Sequence, residues 1–330
     1  MEPVKVFAPT NIAFLKYWGK SDPKRQWPAN DSLSMTLDSL GSTTSVSKSQ
    51  EKKHRFWLNG KEYLATDPQG KKVFTHLKLL AGVVGGNEFL EVRSENNFPT
   101  GSGIASSASG MAALTLSALS AWTGLKDVES LSEKVGGAHK LSQLAILGSG
   151  SAGRSLFGGY VQWLREKSPD HMYVEVYQPQ SEWNLRDLVV LFSEDEKTVS
   201  SSEAHLAAER SLLFEPRIAG CQQRLNQMKQ ALSRKEIHEL GPLLEAECLE
   251  MHAVMMTADP AVAYFGAETS RFLADLRILR DQTGCGAYFT IDAGANVHVI
   301  CVPEALSLVK DLIGNRHYLE DGVGSGPRFL

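Results

Sequence analysis

The stretch "NNFPTGSGIASSASG", residues 96–110, runs without a break into "MAALTLSALSAW" and constrains the fold more than any other segment. Small residues massed just ahead of a helical pattern allow two arrangements. In one, the helix is buried tightly against a neighbour, for which alanine, serine and glycine are the side chains that fit. In the other, a helix expected to begin near Ile104 points its unpaired N–H groups back at a glycine-rich loop. Such a terminus carries partial positive charge and binds phosphate. Pro99 pins the approach to the helix, and the glycines permit positive φ and close contact between backbone and ligand. Ser106, Ser107 and Ser109 add hydroxyl donors at the same end. The two arrangements are compatible, and the glycines precede the helix rather than lie within it.

A chain of 330 residues is longer than one core usually serves, so two domains or one large composite are expected. With 42% hydrophobic and 22% charged residues the composition is that of an ordinary globular protein. The formal net charge is −4 and the basic residues are spread along the chain, so no polyanion-binding face is announced and nucleic acid is not an expected partner. "MEPVKVFAPT" has no apolar signal region, and no later stretch offers the roughly 18 apolar residues of a membrane span; a cytoplasmic protein is expected. Cys221, Cys248, Cys285 and Cys301 lie far apart among apolar neighbours, which suits buried structural thiols.

The chain opens with a strand in "VKVFAPTNIAFLKYW". Two more are expected in "SLSMTLD" and "TTSVSKS", then a hairpin in "HRFWLNGKEYLA" turning at Asn59-Gly60. Helical periodicity in "VFTHLKLLAGVV", a strand in "FLEVRSE" and the small-residue helix ending near Gly124 follow. "VESLSEKVGGAHKLSQLAIL" predicts one or two helices, and "YVQWL", "MYVEVYQ" and "LRDLVVLF" predict strands. From about Ser200 to Arg280 the pattern is almost wholly helical. "GAYFTIDAGANVHVICV" then predicts two strands and "EALSLVKDLIG" a closing helix. Strands and helices grouped without regular βα alternation favour an α+β fold.

Two short motifs mislead. "GKS" at Gly19–Ser21 matches the end of a Walker A loop, but that motif needs a glycine where Phe14 stands. "GSGSAG", residues 148–153, matches G-x-G-x-x-G, yet a helical pattern precedes it and a strand pattern follows. That order inverts the context of a dinucleotide site.

"PTGSGIASSASG" resembles the phosphate loop of the GHMP kinases, whose usual form is P-x-x-x-G-L-x-S-S-A. Together with "APTNIAFLKYWGK", "NDSLSMTLD", "GSGSAGRSLFGGYVQW" and "IDAGANVHVI", it resembles the diphosphomevalonate decarboxylases of that superfamily. These segments run in the family's order from residue 8 to residue 300. The resemblance implies a GHMP kinase fold: a ribosomal-protein-S5-like ATP-binding α/β domain over residues 1–190 and a ferredoxin-like α+β domain over 191–330. It also implies a homodimer, ATP and Mg2+ as cofactors, and ATP-dependent decarboxylation of mevalonate 5-diphosphate to isopentenyl diphosphate. The tertiary 3-hydroxyl is phosphorylated, and phosphate then leaves as carbon dioxide is lost. No dedicated cage of metal ligands is legible.

Carried over residue by residue, the resemblance assigns ATP to Gly101, Ser102, Gly103, Ala105, Ser106, Ser107 and Ser109. Asp292, in "DAG", is expected beside the 3-hydroxyl as base or orienter, although taken alone it could equally be a turn aspartate. Arg154 is expected to grip the substrate carboxylate with its planar fork. Ser149 and Ser151 would bond the carboxylate or diphosphate, Tyr17 and Lys20 would face the substrate, and the Lys20 cation would offset developing charge. Asn11 is expected near the reacting centre, where its ordinary role would be a turn amide. In "EKTVSSSEAH", Lys197, Ser200 and Ser201 are expected to reach the diphosphate, and a serine there can also cap the following helix. Trp18 and His252 are expected in packing roles. Some bacterial members carry arginine where Ser202 stands. Loss of that cation admits an alternative, decarboxylation of mevalonate 5-phosphate. A non-catalytic ligand sensor on the same fold would be expected to have lost one of Asp292, Arg154 or Lys20, and all three are present.

Overall fold

Strand β1 (Val4–Leu15) is buried along almost its whole length, and the chain returns beside it after a small ribbon, β2 (Lys20–Asp22) and β3 (Trp27–Pro28). The returning strand, β4 (Ser32–Lys48), pairs antiparallel with β1 from Val4↔Val46 to Leu15↔Leu33. The structure, a computed structural model, describes residues 2–99, 104–192, 201–264 and 266–330. The expectations for Gly101, Ser102, Gly103, Lys197, Ser200 and the Ser201 side chain lie outside these residues.

"SLSMTLD" and "TTSVSKS" form one strand rather than two. Asp38 and Ser39, exposed in its middle, have the composition of a break. However, the buried Asp321 carboxylate accepts the N–H groups of Asp38, Ser39 and Leu40, so the chain passes through without a turn. The hairpin of β5 (Arg55–Leu58) and β6 (Lys61–Tyr63) turns as expected, with φ +48° at Asn59 and +79° at Gly60. Then come α1 (Pro68–Val84), β7 (Leu90–Asn96), α2 (Ser106–Thr123), α3 (Val128–Val135) and α4 (Ala138–Gly148), the last two parted by Gly136 and Gly137 in positive φ. After a 3-10 turn at Gly150–Leu156 the chain adds β8 (Tyr160–Leu164) and β9 (Tyr173–Gln178). This first sheet runs β6-β5-β7-β4-β1, with β8 attached to β4 and β9 to β8, and the small-residue helix α2 lies on it in a core with Leu77, Leu80, Val92 and Leu144.

The chain enters a second, antiparallel sheet with β10 (Arg186–Val190). α5 (Ser201–Ala207), α6 (Phe214–Arg234), α7 (Ile237–Met256) and α8 (Ala267–Thr283) follow, then β11 (Ala287–Thr290), β12 (Val297–Cys301) and α9 (Leu306–Ile313). Contrary to the sequence expectation, α9 does not close the chain. β13 (Tyr318–Gly322) completes the order β11-β12-β10-β13, and β14 (Arg328–Phe329) returns to pair with β1. α9 is the last element expected from sequence because the pairing partners of the glycine-rich end lie far away in the chain. In strand pairing the crossing between sheets lies between Gln178 and Arg186, ahead of the expected division at 190/191, since β10 takes its partners from the C-terminal half. Ile12, Phe14, Leu33 and Met35 of the first sheet share a core with Leu225, Met228 and Leu240 of α6 and α7. All four cysteines are buried free thiols. No described helix is long and apolar enough to cross a membrane.

Candidate active site

β1 leaves its sheet at Leu15, and the next residues enter a cleft between the two halves of the chain. Lys16, Tyr17 and Trp18 line it with Ala105 and Ser107, Ser151 and Arg154, His205, Met251 and Asp292.

On one side the cleft meets the start of α2. Ala105 holds a left-handed backbone, φ +39°, and no side chain among the described residues caps the helix; its first turn also lacks an acidic residue. The Ala108 N–H turns back to the Ala105 carbonyl at 2.8 Å, and the first N–H groups of the helix face the side that favours an anion. Ser107 Oγ stands 3.2 Å from Ser149 Oγ, so hydroxyls of two segments meet at the cleft edge. Ser109 departs from its expected place beside ATP. It is fully buried, 2.7 Å from Ser42 Oγ and bonded to the Ser106 carbonyl, because its position turns it onto β4.

The opposite side carries charge. Asp292 sits on the bend between β11 and β12 and receives the Lys16 ammonium at 2.6 Å; the lysine side chain is 2% exposed and the aspartate 23%. Burial pushes the Asp292 carboxyl up. The charge and hydrogen bond of Lys16, with His298 and Arg154 behind them, outweigh burial and hold it below the ordinary aspartate range. Arg154, on the 3-10 turn, is buried. Its Nε donates to Asn11 Oδ1 at 3.1 Å and its Nη1 to Ser32 Oγ, which leaves Nη2 for a ligand. Burial lowers the guanidinium to about 10, partly offset by Asp292 and Tyr17, so it stays charged at neutral pH. Asn11 in turn donates to Ser155 Oγ at 2.8 Å and to the Ser151 carbonyl at 3.3 Å. Rather than standing as a turn amide, it orients Arg154.

Tyr17 lies tilted between the rings of Trp163 and His205, and its buried hydroxyl has no hydrogen-bond partner among the described residues. A Cβ at Gly150 would lie 2.6 Å from the Tyr17 ring, so glycine is what lets the loop close on it. Trp18 lies in the core as expected and also lines the cleft. His252 is buried on α7, its ring edge-on to Tyr264, and burial lowers it to about 3.

Two residues escaped the sequence reading. Lys16 rather than Lys20 meets Asp292, because the strand ends one residue before it and delivers its side chain inward. Lys20 starts β2 beyond Gly19 and is not among the lining residues; burial, then the nearby charge of Lys72, lowers it to about 8. The available signal was a lysine following an unbroken apolar run, "NIAFLK". His205 is the second. Its Nδ1 accepts the Gly19 N–H at 3.1 Å, and burial, then Lys20 and Arg217, holds it neutral. "GSGSAG" sits between α4 and β8, which confirms the inverted context and removes the dinucleotide alternative.

Two family models match the chain: the diphosphomevalonate decarboxylase-like N-terminal domain over residues 8–174, and the mevalonate 5-diphosphate decarboxylase C-terminal domain over residues 187–322. The diphosphomevalonate decarboxylase of Candida albicans is 36% identical over 321 residues, covering 92% of this chain and 85% of the relative. A solved structure of the mevalonate diphosphate decarboxylase from Enterococcus faecalis superposes with a TM-score of 0.87 at 32% identity, over 100% of this chain and 99% of that one. A structure of MDDEF in complex with MVAPP, AMPPCP and magnesium gives 0.88 at 33% identity over the same shares.

Proposed function

This chain belongs to the diphosphomevalonate decarboxylase family, with the GHMP kinase fold, and we propose that it decarboxylates mevalonate 5-diphosphate at the expense of ATP, giving isopentenyl diphosphate. The observation that carries the proposal is the Lys16–Asp292 pair gathered with Arg154 on one side of a cleft that receives the start of α2 on the other. A tertiary alcohol is a weak nucleophile, so it needs a base held ready and a phosphoryl donor held in line. Asp292, kept ionised by Lys16, takes or orients the proton of the 3-hydroxyl. ATP lies with its phosphates against the α2 terminus, Ala105, Ser106 and Ser107. Once the 3-oxygen carries phosphate, it leaves with its bonding electrons as the carboxylate is released as carbon dioxide and the alkene forms. Arg154, with Nε and Nη1 already occupied, presents Nη2 to that carboxylate, and the unpartnered Tyr17 hydroxyl with Ser149 and Ser151 offers donors to the substrate.

Among the described residues no three His, Cys, Asp or Glu side chains gather as a metal cage. The Ser107 and Ser149 hydroxyls would help hold a magnesium ion there, which would neutralise phosphate charge. The test is a coupled assay with ATP, Mg2+ and mevalonate 5-diphosphate that follows ADP, phosphate and alkene. Equal amounts of the three are expected, and ADP without alkene would overturn decarboxylation.

A further inference from the structure

Lys16 is held by more than its bond to Asp292. Its backbone N–H donates to Glu247 Oε1 at 3.1 Å, and its carbonyl accepts from Asn30 Nδ2 at 2.9 Å and from Arg217 Nη2 at 3.0 Å. The three partners come from three places: Asn30 from the segment before β4, Arg217 from α6, and Glu247 from α7. They also hold one another. Arg217 Nη2 donates to Glu247 Oε1, Arg217 Nη1 to Asn30 Oδ1 at 3.4 Å, and Arg224 secures Glu247 Oε2. The Arg217 and Glu247 side chains are 2% and 0% exposed.

A buried ion pair is poor evidence for stability, because desolvation cancels most of the attraction and apolar replacements often do as well. What it does supply is geometry. Here the charges converge on both main-chain polar groups of the one residue whose ammonium meets Asp292, at the point where β1 has ended and no sheet partner fixes the chain. We infer that Asn30, Arg217 and Glu247 form a buried clamp that positions Lys16 on Asp292. They are positioning residues, none touching the reacting atoms, and their effect on turnover rests on the decarboxylase function proposed above.

The test compares wild type with Glu247→Gln and Asn30→Ala for the Asp292 carboxyl titration by carbon NMR, kcat and KM for both substrates, and thermal midpoint. Asp292 also faces Arg154, His298 on β12, and Cys248 and His252 on α7, and neither substitution removes any of these. With the ammonium displaced, the titration midpoint of Asp292 should rise by about one unit or more, as expected when an opposite charge moves away. kcat should fall by about tenfold to a hundredfold, as small misplacements at a reacting centre do, with KM for ATP little changed. A merely structural role would lower the thermal midpoint and leave the titration and kcat where they were, and that result overturns the clamp. If Glu247→Gln does not fold, Asn30→Ala, which alters no charge, carries the same two outcomes. The NMR readout needs no turnover, so an inactive wild type would count against the proposed function and leave the clamp to be judged on the titration.

Discussion

The two walls of the cleft are built from opposite materials. Among the described residues the α2 side lines the cleft without charge: Ala105, Ser106 and Ser107 present backbone and hydroxyls at a helix end. The Asp292 side gathers Lys16, Asp292 and Arg154, two of them nearly sealed from solvent. Neutral dipoles can accept a polyphosphate with little reorganisation, and each contributes modestly. Buried charges depend on one another, so the loss of one changes the state of the next.

Substitutions that separate the walls should therefore differ in size. Asp292→Asn should lower kcat by about a hundredfold to ten-thousandfold, the range for a positioned acid-base group, with ATP affinity by calorimetry little changed. Retained turnover would break the comparison. Lys16→Met comes next. Without the ammonium, burial dominates and raises the Asp292 carboxyl, so the acid limb of kcat should move to higher pH, the side on which the carboxylate is ionised. An unmoved limb would show that the two groups are not coupled. Lys20 does not line the cleft, but its charge acts on the lining His205, and that charge is lost as pH rises through about 8. Affinity for the anionic substrate should then weaken above that pH, and Lys20→Met should abolish this dependence in an equilibrium titration. The smallest effect on activity is expected from Ser109→Ala. It removes one of the two side-chain partners of Ser42, which keeps its bond to Asn96 Oδ1, and should cost about 1 kcal/mol of stability in a denaturant titration, with KM for ATP unchanged. A large rise in KM would return Ser109 to the nucleotide side.

The neutral wall was the more legible one. Glycines and serines ahead of a helical pattern are local features, and a helix terminus follows from a dozen consecutive residues. Proximity in sequence does not say which face of the helix a hydroxyl takes, and the Ser109 side chain turns onto β4. Arg154 and Asp292 stood out through the family resemblance rather than through spacing. Lys16 was passed over because two lysines bracket "YWG" and only the point where β1 ends decides which turns inward. Likewise, "SLSMTLD" and "TTSVSKS" parted at Asp38-Ser39 until Asp321, some 280 residues away, proved to bind the intervening N–H groups.

By itself, then, the sequence determined the family, the grouping of strands and helices, the Asn59-Gly60 hairpin and the uncapped small-residue helix, all of which depend on local pattern or on ordered motifs. Tertiary structure alone decided which lysine meets Asp292, that Asn11 steadies Arg154, that β14 returns to β1, and that Arg217 and Glu247 grip the Lys16 main chain. The physical reason is range. Propensity and periodicity act over one or two turns, whereas a buried charge takes its partners from wherever the fold brings compensating groups within hydrogen-bonding distance.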